Sequence, residues 1–151
     1  MRTTSLFLLG LLALLLPTSS RAFEAGAVAV DVSPRKLPAI RNGSFLQAIA
    51  NRVDTPLHAR ALALKSGDTT AVLCVVDSCM LPTDVCNAAK ALVTKQIGLA
   101  ADRILIASTH THTAPGTMAM CLGSRKDETY TAQLIPQVAE AIVKAHAALV
   151  P

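Results

Sequence analysis

The sequence predicts an α/β fold, a layered sandwich in which helices flank a mixed, partly parallel sheet, incomplete over the length read here. Three observations carry this reading. Apolar runs of strand length recur over residues 27–32, 71–76 and 103–109. Two segments instead repeat their apolar residues at helical spacing. The resulting order is strand, hairpin, helix, strand, helix, in which a helix joins two strands as a parallel crossover.

Taken in order, Ala27-Val28-Ala29-Val30-Asp31-Val32 reads as a strand closed by Ser33-Pro34. Residues 35–57 read as irregular, with Asn42-Gly43 favouring a tight turn. A hairpin follows, with arms 60–64 and 70–77 around Ser66-Gly67-Asp68. Its second arm is continuously apolar, the pattern of a strand covered on both faces. Leu81-Pro82 opens a helix that Thr83 or Asp84 caps, with Val85, Ala89, Leu92 and Val93 on its inner face and Gly98 as its stop. Residues 103–109 form the next strand, parallel to 72–77, so Asp77 and His110 leave adjacent strands at one edge. Residues 117–127 read as a loop. Leu134, Val138, Ala141, Ile142, Ala145 and Leu149 then mark one stripe of a last helix, with Pro136 in its first turn or at a kink.

Residues 1–22 read as an export signal. Arg2 supplies the positive start, Leu6 to Leu16 the apolar segment, and Ser20-Arg21-Ala22 a small-x-small cleavage site. The expected mature chain, 23–151, carries 12 Lys and Arg against 10 Asp and Glu, without a basic cluster or aromatic platform. That composition argues against nucleic acid as a partner. Export places Cys74, Cys79, Cys86 and Cys121 in an oxidising compartment, and the sequence does not choose between free thiols and a disulfide. Asn42-Gly43-Ser44 is a glycosylation triplet, relevant in a eukaryotic host.

The chemistry concentrates where the run Ile104-Leu105-Ile106-Ala107-Ser108 meets Thr109-His110-Thr111-His112-Thr113-Ala114-Pro115-Gly116. On an extended backbone His110 and His112 leave the same face, so two imidazoles converge at a strand's carboxyl end. Such a pair suits one borderline cation, Zn²⁺ above all, or a ligand beside an acid/base group. Asp77 can orient a histidine or bind a second cation, or cap the helix after it. Arg60 fits a surface salt bridge, His58 a structural role, and Pro115-Gly116 a backbone-shaping one. Ser78 and Ser108 lack the Gly-x-Ser-x-Gly elbow of a serine nucleophile.

With those residues in view, the chain resembles the N-terminal part of the neutral/alkaline, non-lysosomal ceramidases and their bacterial relatives. The matching segments are Ala25-Gly26-Ala27-Val28-Ala29-Val30-Asp31-Val32-Ser33-Pro34, Pro56-Leu57-His58-Ala59-Arg60-Ala61-Leu62-Ala63-Leu64, Val75-Val76-Asp77, and Ile106 through Gly116. The last is close to the family's Ala-Thr-His-Thr-His-Ser-x-Pro-Gly. The resemblance implies hydrolysis of the ceramide amide to a fatty acid and a sphingoid base, with one catalytic zinc. It assigns His110 as a zinc ligand and His112 as the group that polarises or positions the amide.

The resemblance also implies a further histidine, a glutamate and a tyrosine as ligands downstream of this motif. His146, Glu128, Glu140 and Tyr130 show no matching arrangement, so the expectation is an N-terminal portion carrying half a metal site. A lipid-like amide is the expected partner, with peripheral membrane contact and oligomeric state left open. Two other readings stand beside it: a non-catalytic secreted binding domain, and a metal hydrolase of the same scaffold acting on another amide or ester.

Overall fold

A computed structural model of the chain describes residues 23–151. The export signal expected over residues 1–22 lies outside the described residues. The elements are strands β1 (Phe23–Asp31), β2 (Ala39–Arg41), β3 (Ala48–Ala50), β4 (His58–Ser66) and β5 (Thr69–Val76), helix α1 (Thr83–Ile97), a 3₁₀ turn (Ala101–Arg103), strand β6 (Ile104–Ser108) and helix α2 (Glu128–Ala147). Strand order in the main sheet is β1-β4-β5-β6, antiparallel except for the parallel β5–β6 pair. This is the mixed α/β sheet expected, and it does not close.

β4 and β5 form the hairpin, turning through Gly67, whose φ of 57° suits glycine. The chain then crosses through α1 to lay β6 beside β5, in a register running from Val72↔Ile104 to Val76↔Ser108. Residues expected to be irregular hold a small second sheet, β2 paired with β3. Three-residue strands fall below the length at which alternation gives a signal.

The core lies on one face of the sheet. Ala59, Ala61 and Ala63 of β4 and Val72, Cys74 and Val76 of β5 point inward, against Leu134, Val138, Ala141, Ile142 and Ala145 of α2 and Ala89 and Val93 of α1. Small residues on β4 let α2 approach closely. At Gly26 the approach is closest, since a Cβ there would lie 2.4 Å from the Ala145 carbonyl oxygen. Val150 then pairs with Ala25 and closes the free edge of β1.

Three expectations are corrected here. Neither Thr83 nor Asp84 caps α1; Pro82 takes the N-cap position and no side chain bonds the helix end, leaving Asp84 to favour its dipole. Pro136 lies well inside α2, where it removes one backbone donor. β5 is covered on one face only, because both helices pack on the same side. Leu62, Leu73, Val75 and Leu105 therefore line an outer apolar face, Leu105 being 59% exposed. Among the described residues no helix is long and apolar enough to cross a membrane.

The loop between β6 and α2 is anchored by Asp127. Its Oδ1 accepts from the Tyr130 N–H as the N-cap of α2, and its Oδ2 accepts from the Ile40 N–H of β2, each at 2.9 Å. Its own N–H donates to the Gly116 carbonyl at 2.7 Å. Asp127→Ala removes the cap and leaves a part-buried donor unpaired, a combined cost of about 2–4 kcal/mol. Asp127→Asn keeps one acceptor but turns its NH2 on the other backbone donor, so it is expected to recover only part of that cost, with both values read from urea unfolding midpoints.

Candidate metal centre

β5 ends at Val76 and β6 at Ser108, so both strands deliver their following residues to one edge. The Thr109 N–H still donates to the Val76 carbonyl at 3.0 Å. Beyond that bond β5 has turned away, and no ladder keeps the chain extended. His110 accordingly takes a left-handed conformation, φ 61°. The expectation that both histidines project from one face of a strand is therefore corrected. They meet because the backbone bends at His110, a geometry costing about 1–2 kcal/mol in a residue other than glycine.

Hydrogen bonding offsets that strain. His110 Nδ1 lies 2.7 Å from the Cys79 carbonyl oxygen. A carbonyl can only accept, so Nδ1 carries the proton and the Nε2 lone pair is left bare. His112 Nε2 stands 3.2 Å from that Nε2, with the ring planes at 82° and centroids 4.7 Å apart. Two nitrogens on one tetrahedral zinc, each bonded at about 2.0–2.1 Å, stand about 3.3 Å apart. The pair thus has the spacing of two ligands to one ion, and the carbonyl bond to Nδ1 is the outer contact that usually orients a ligating histidine.

Cys79 completes a cluster with His110 and His112, one donor atom from each lying within 4.8 Å of the others. Both imidazoles are exposed and the cysteine is buried. Its Sγ is 3.8 Å from His110 Nδ1. Burial, with Cys121 nearby, pushes its thiol above the ordinary value. Cys121 Sγ in turn approaches Met80 Sδ, beside Cys79 in sequence, at 3.2 Å. All four cysteines are free thiols. Borderline imidazoles above a thiol form a donor set that fits zinc.

The turn holding Cys79 is rigid. The buried hydroxyls of Ser78 and Thr117 both donate to the Met80 carbonyl. Ser78 is thereby sealed and bonded, which removes it as a nucleophile. On the other side, the Asn42 N–H donates to the Ala114 carbonyl and the Gly116 N–H to that of Ile40, stitching β2 to the histidine loop. Gly43, φ 100°, lies directly against His112. A Cβ there would fall 2.5 Å from the His112 Cβ. Asn42 is 1% exposed, so its amide is closed to glycosylation in the folded chain.

The other sequence-derived residues lie apart from this cluster. Asp77 Oδ2 accepts from the His58 N–H at 2.9 Å and from Arg60 Nη1 at 2.8 Å, both on β4, and Asp77 does not cap α1. Arg60 thus makes the salt bridge expected of it. Tyr130 is buried, which raises its phenol well above the ordinary range, and Glu128 and Glu140 are exposed. Among the described residues neither these three nor His146 joins the donor cluster. Sequence reasoning does not find Cys79 or Gly43 as site residues: by sequence the first reads as a free or disulfide-bonded cysteine and the second as part of a tight turn.

Solved ceramidase structures are among those that share this fold. The neutral ceramidase from Pseudomonas aeruginosa matches with a TM-score of 0.77 and 20% identity, and a ceramidase complexed with C2 with 0.72 and 22%. Each match covers 85% of this chain, and the chain spans 22% of the length of each ceramidase. No protein-family model and no curated protein matches the chain at a significant level. At these identities the likeness establishes a ceramidase-like fold.

Gly43 supplies a test of the geometry that leaves every donor atom in place. Gly43→Ala forces His112 away from His110, and zinc affinity measured by chelator competition is expected to fall roughly 10–100-fold, as for other lost supports of a ligand.

Proposed function

We propose that this chain is the metal-bearing portion of a secreted, zinc-dependent amide hydrolase of ceramidase type. The observation that carries the reading is the imidazole pair at the strand edge, with Nε2 atoms 3.2 Å apart and His110 locked by the Cys79 carbonyl. The ceramidase-like fold and the His110-Thr111-His112 motif support the same assignment. In this reading the substrate is a ceramide-class lipid amide, cleaved to a fatty acid and a sphingoid base. Residues 1–22 export the protein, and access to a lipid substrate calls for peripheral contact with a membrane.

His110 is the zinc ligand, its Nε2 lone pair presented outward because Nδ1 is committed as a donor. A zinc ion held there supplies Lewis acidity, acidifying water and drawing charge from an amide oxygen. His112 faces the same point and positions the scissile amide. Asp77 acts at one remove: by holding Arg60 and the His58 N–H, it fixes the end of β5 from which the Cys79 turn departs. It is a positioning residue. The remaining ligands of a ceramidase zinc belong, in this reading, to polypeptide outside residues 23–151.

Ceramide hydrolysis by protein carrying this sequence is the direct test. Activity is expected to vanish with a zinc chelator and return with zinc, and His110→Ala is expected to lower kcat/KM by at least about a hundredfold, the loss of several kcal/mol of charge stabilisation. His112→Ala is expected to raise KM and lower kcat together. Undiminished hydrolysis in His110→Ala sinks the assignment. Cooperative unfolding without metal, with weak or no zinc binding and no hydrolysis, favours the binding-domain reading instead.

A further inference from the structure

We propose that Cys79 is itself a metal ligand, and that Cys79, His110 and His112 together form a nitrogen-and-sulfur site for a thiophilic divalent cation, zinc first. The inference rests on His110 being a ligand, as above, and moves His112 from the amide to the ion in the substrate-free protein. It supplies from within this chain a donor that the resemblance does not assign.

Three observations converge on it. One donor atom from each of the three residues falls within a 4.8 Å cluster, and no carboxylate belongs to it. A tetrahedral shell with two nitrogens and one sulfur needs separations of about 3.3–3.6 Å; the nitrogen pair already meets this at 3.2 Å, and the sulfur, inside the 4.8 Å cluster, closes the shell by a small side-chain movement. Cys79 also engages the same imidazole twice, through its carbonyl at 2.7 Å from Nδ1 and through its Sγ at 3.8 Å from that atom. Its turn is fixed by the Ser78 and Thr117 hydroxyls, which both bond the Met80 carbonyl, so the backbone that carries the sulfur is set before any ion arrives. Soft donors lie around it, Met80 Sδ and Cys121 Sγ 3.2 Å apart. That environment favours zinc over magnesium or calcium, which take oxygen ligands. On binding, the S–H bond breaks, the sulfur pair forms the bond to the metal, and the proton leaves to solvent.

The mode of entry follows from exposure. Both imidazoles face solvent and Cys79 is 1% exposed beneath them. The ion meets the two nitrogens first and the sulfur closes the shell from below.

Titration of the reduced protein with Co²⁺ is the test. One tightly bound cobalt per chain is expected, with a near-ultraviolet thiolate-to-cobalt charge-transfer band. Cys79→Ser is expected to lose the band and at least about tenfold in affinity, the lower end of what even an outer contact is worth. His110→Ala is expected to lose the band although every thiol remains. Cys86→Ser is expected to keep it. A band that survives Cys79→Ser but disappears in Cys121→Ser overturns the proposal, as does cobalt bound without any band. Zinc X-ray absorption on the unsubstituted protein decides the matter if the variants do not fold: sulfur at about 2.3 Å is expected, and a shell of nitrogen and oxygen alone refutes it. The two readings fail separately. A sulfur-containing zinc shell without ceramide hydrolysis leaves this site standing and removes the ceramidase assignment, and zinc-dependent hydrolysis with a sulfur-free shell does the reverse.

Discussion

Asp127 ties together three parts of this fold that stand apart in the sequence. One carboxylate oxygen caps α2, the other takes the Ile40 N–H of β2, and the backbone N–H reaches the Gly116 carbonyl. Ile40 in turn accepts from the Gly116 N–H, and Asn42, just past the end of β2, donates its N–H to the Ala114 carbonyl. The helix end, the small sheet and the histidine loop thus share one node. The loop carrying His110 and His112 has little regular structure of its own, since β6 stops at Ser108 and α2 starts at Glu128. Its order comes from that node on one side and from the Cys79 carbonyl on the other.

The parallel pair β5–β6 explains why chemistry gathers at this edge. Two parallel strands joined by a helix end side by side, and each must then turn away from the sheet. The turn after β5 presents a carbonyl and a sulfur, the turn after β6 a nitrogen. His110 adopts φ 61° to meet them. Strain of about 1–2 kcal/mol is tolerable where a hydrogen bond and close packing hold it. Gly43, pressed on His112 with no room for a Cβ, restricts the second ring in the same manner.

Much of this was legible in the residues, and the illegible part has a common cause. The hairpin, the crossover helix and the inward stripe of α2 follow from alternation and helical spacing, because burial on one face imposes a period. Leu73 and Val75 show the limit of that rule: a run apolar on both faces reads as doubly covered, yet both helices lie on one side. His110 and His112 were legible as a pair through their spacing, although the alternation invoked for them ended two residues earlier. Asp127, Gly43 and Cys79 gave no periodic signal. Each has a partner more than 30 positions away, Ile40 for Asp127, His112 for Gly43 and His110 for Cys79, and a contact of that range leaves no mark on local sequence.

The protonation pattern narrows what the pair can do. With His110 Nδ1 donating to a carbonyl, its Nε2 has a lone pair and no proton to give while the ring is neutral. His112 Nε2 faces it at hydrogen-bond distance. The space between the rings therefore holds one proton, donated by His112 to His110, or one cation bound by both, and the two occupants exclude each other. A proton gives an inert imidazole–imidazole hydrogen bond. If a cation were bound, both rings would hold it, and it would supply Lewis acidity at an exposed edge. No carboxylate joins the cluster among the described residues to serve as a general base in place of the imidazoles. In the proposed reading metal replaces that proton, and the donor set, more than the fold, then decides what the edge can do.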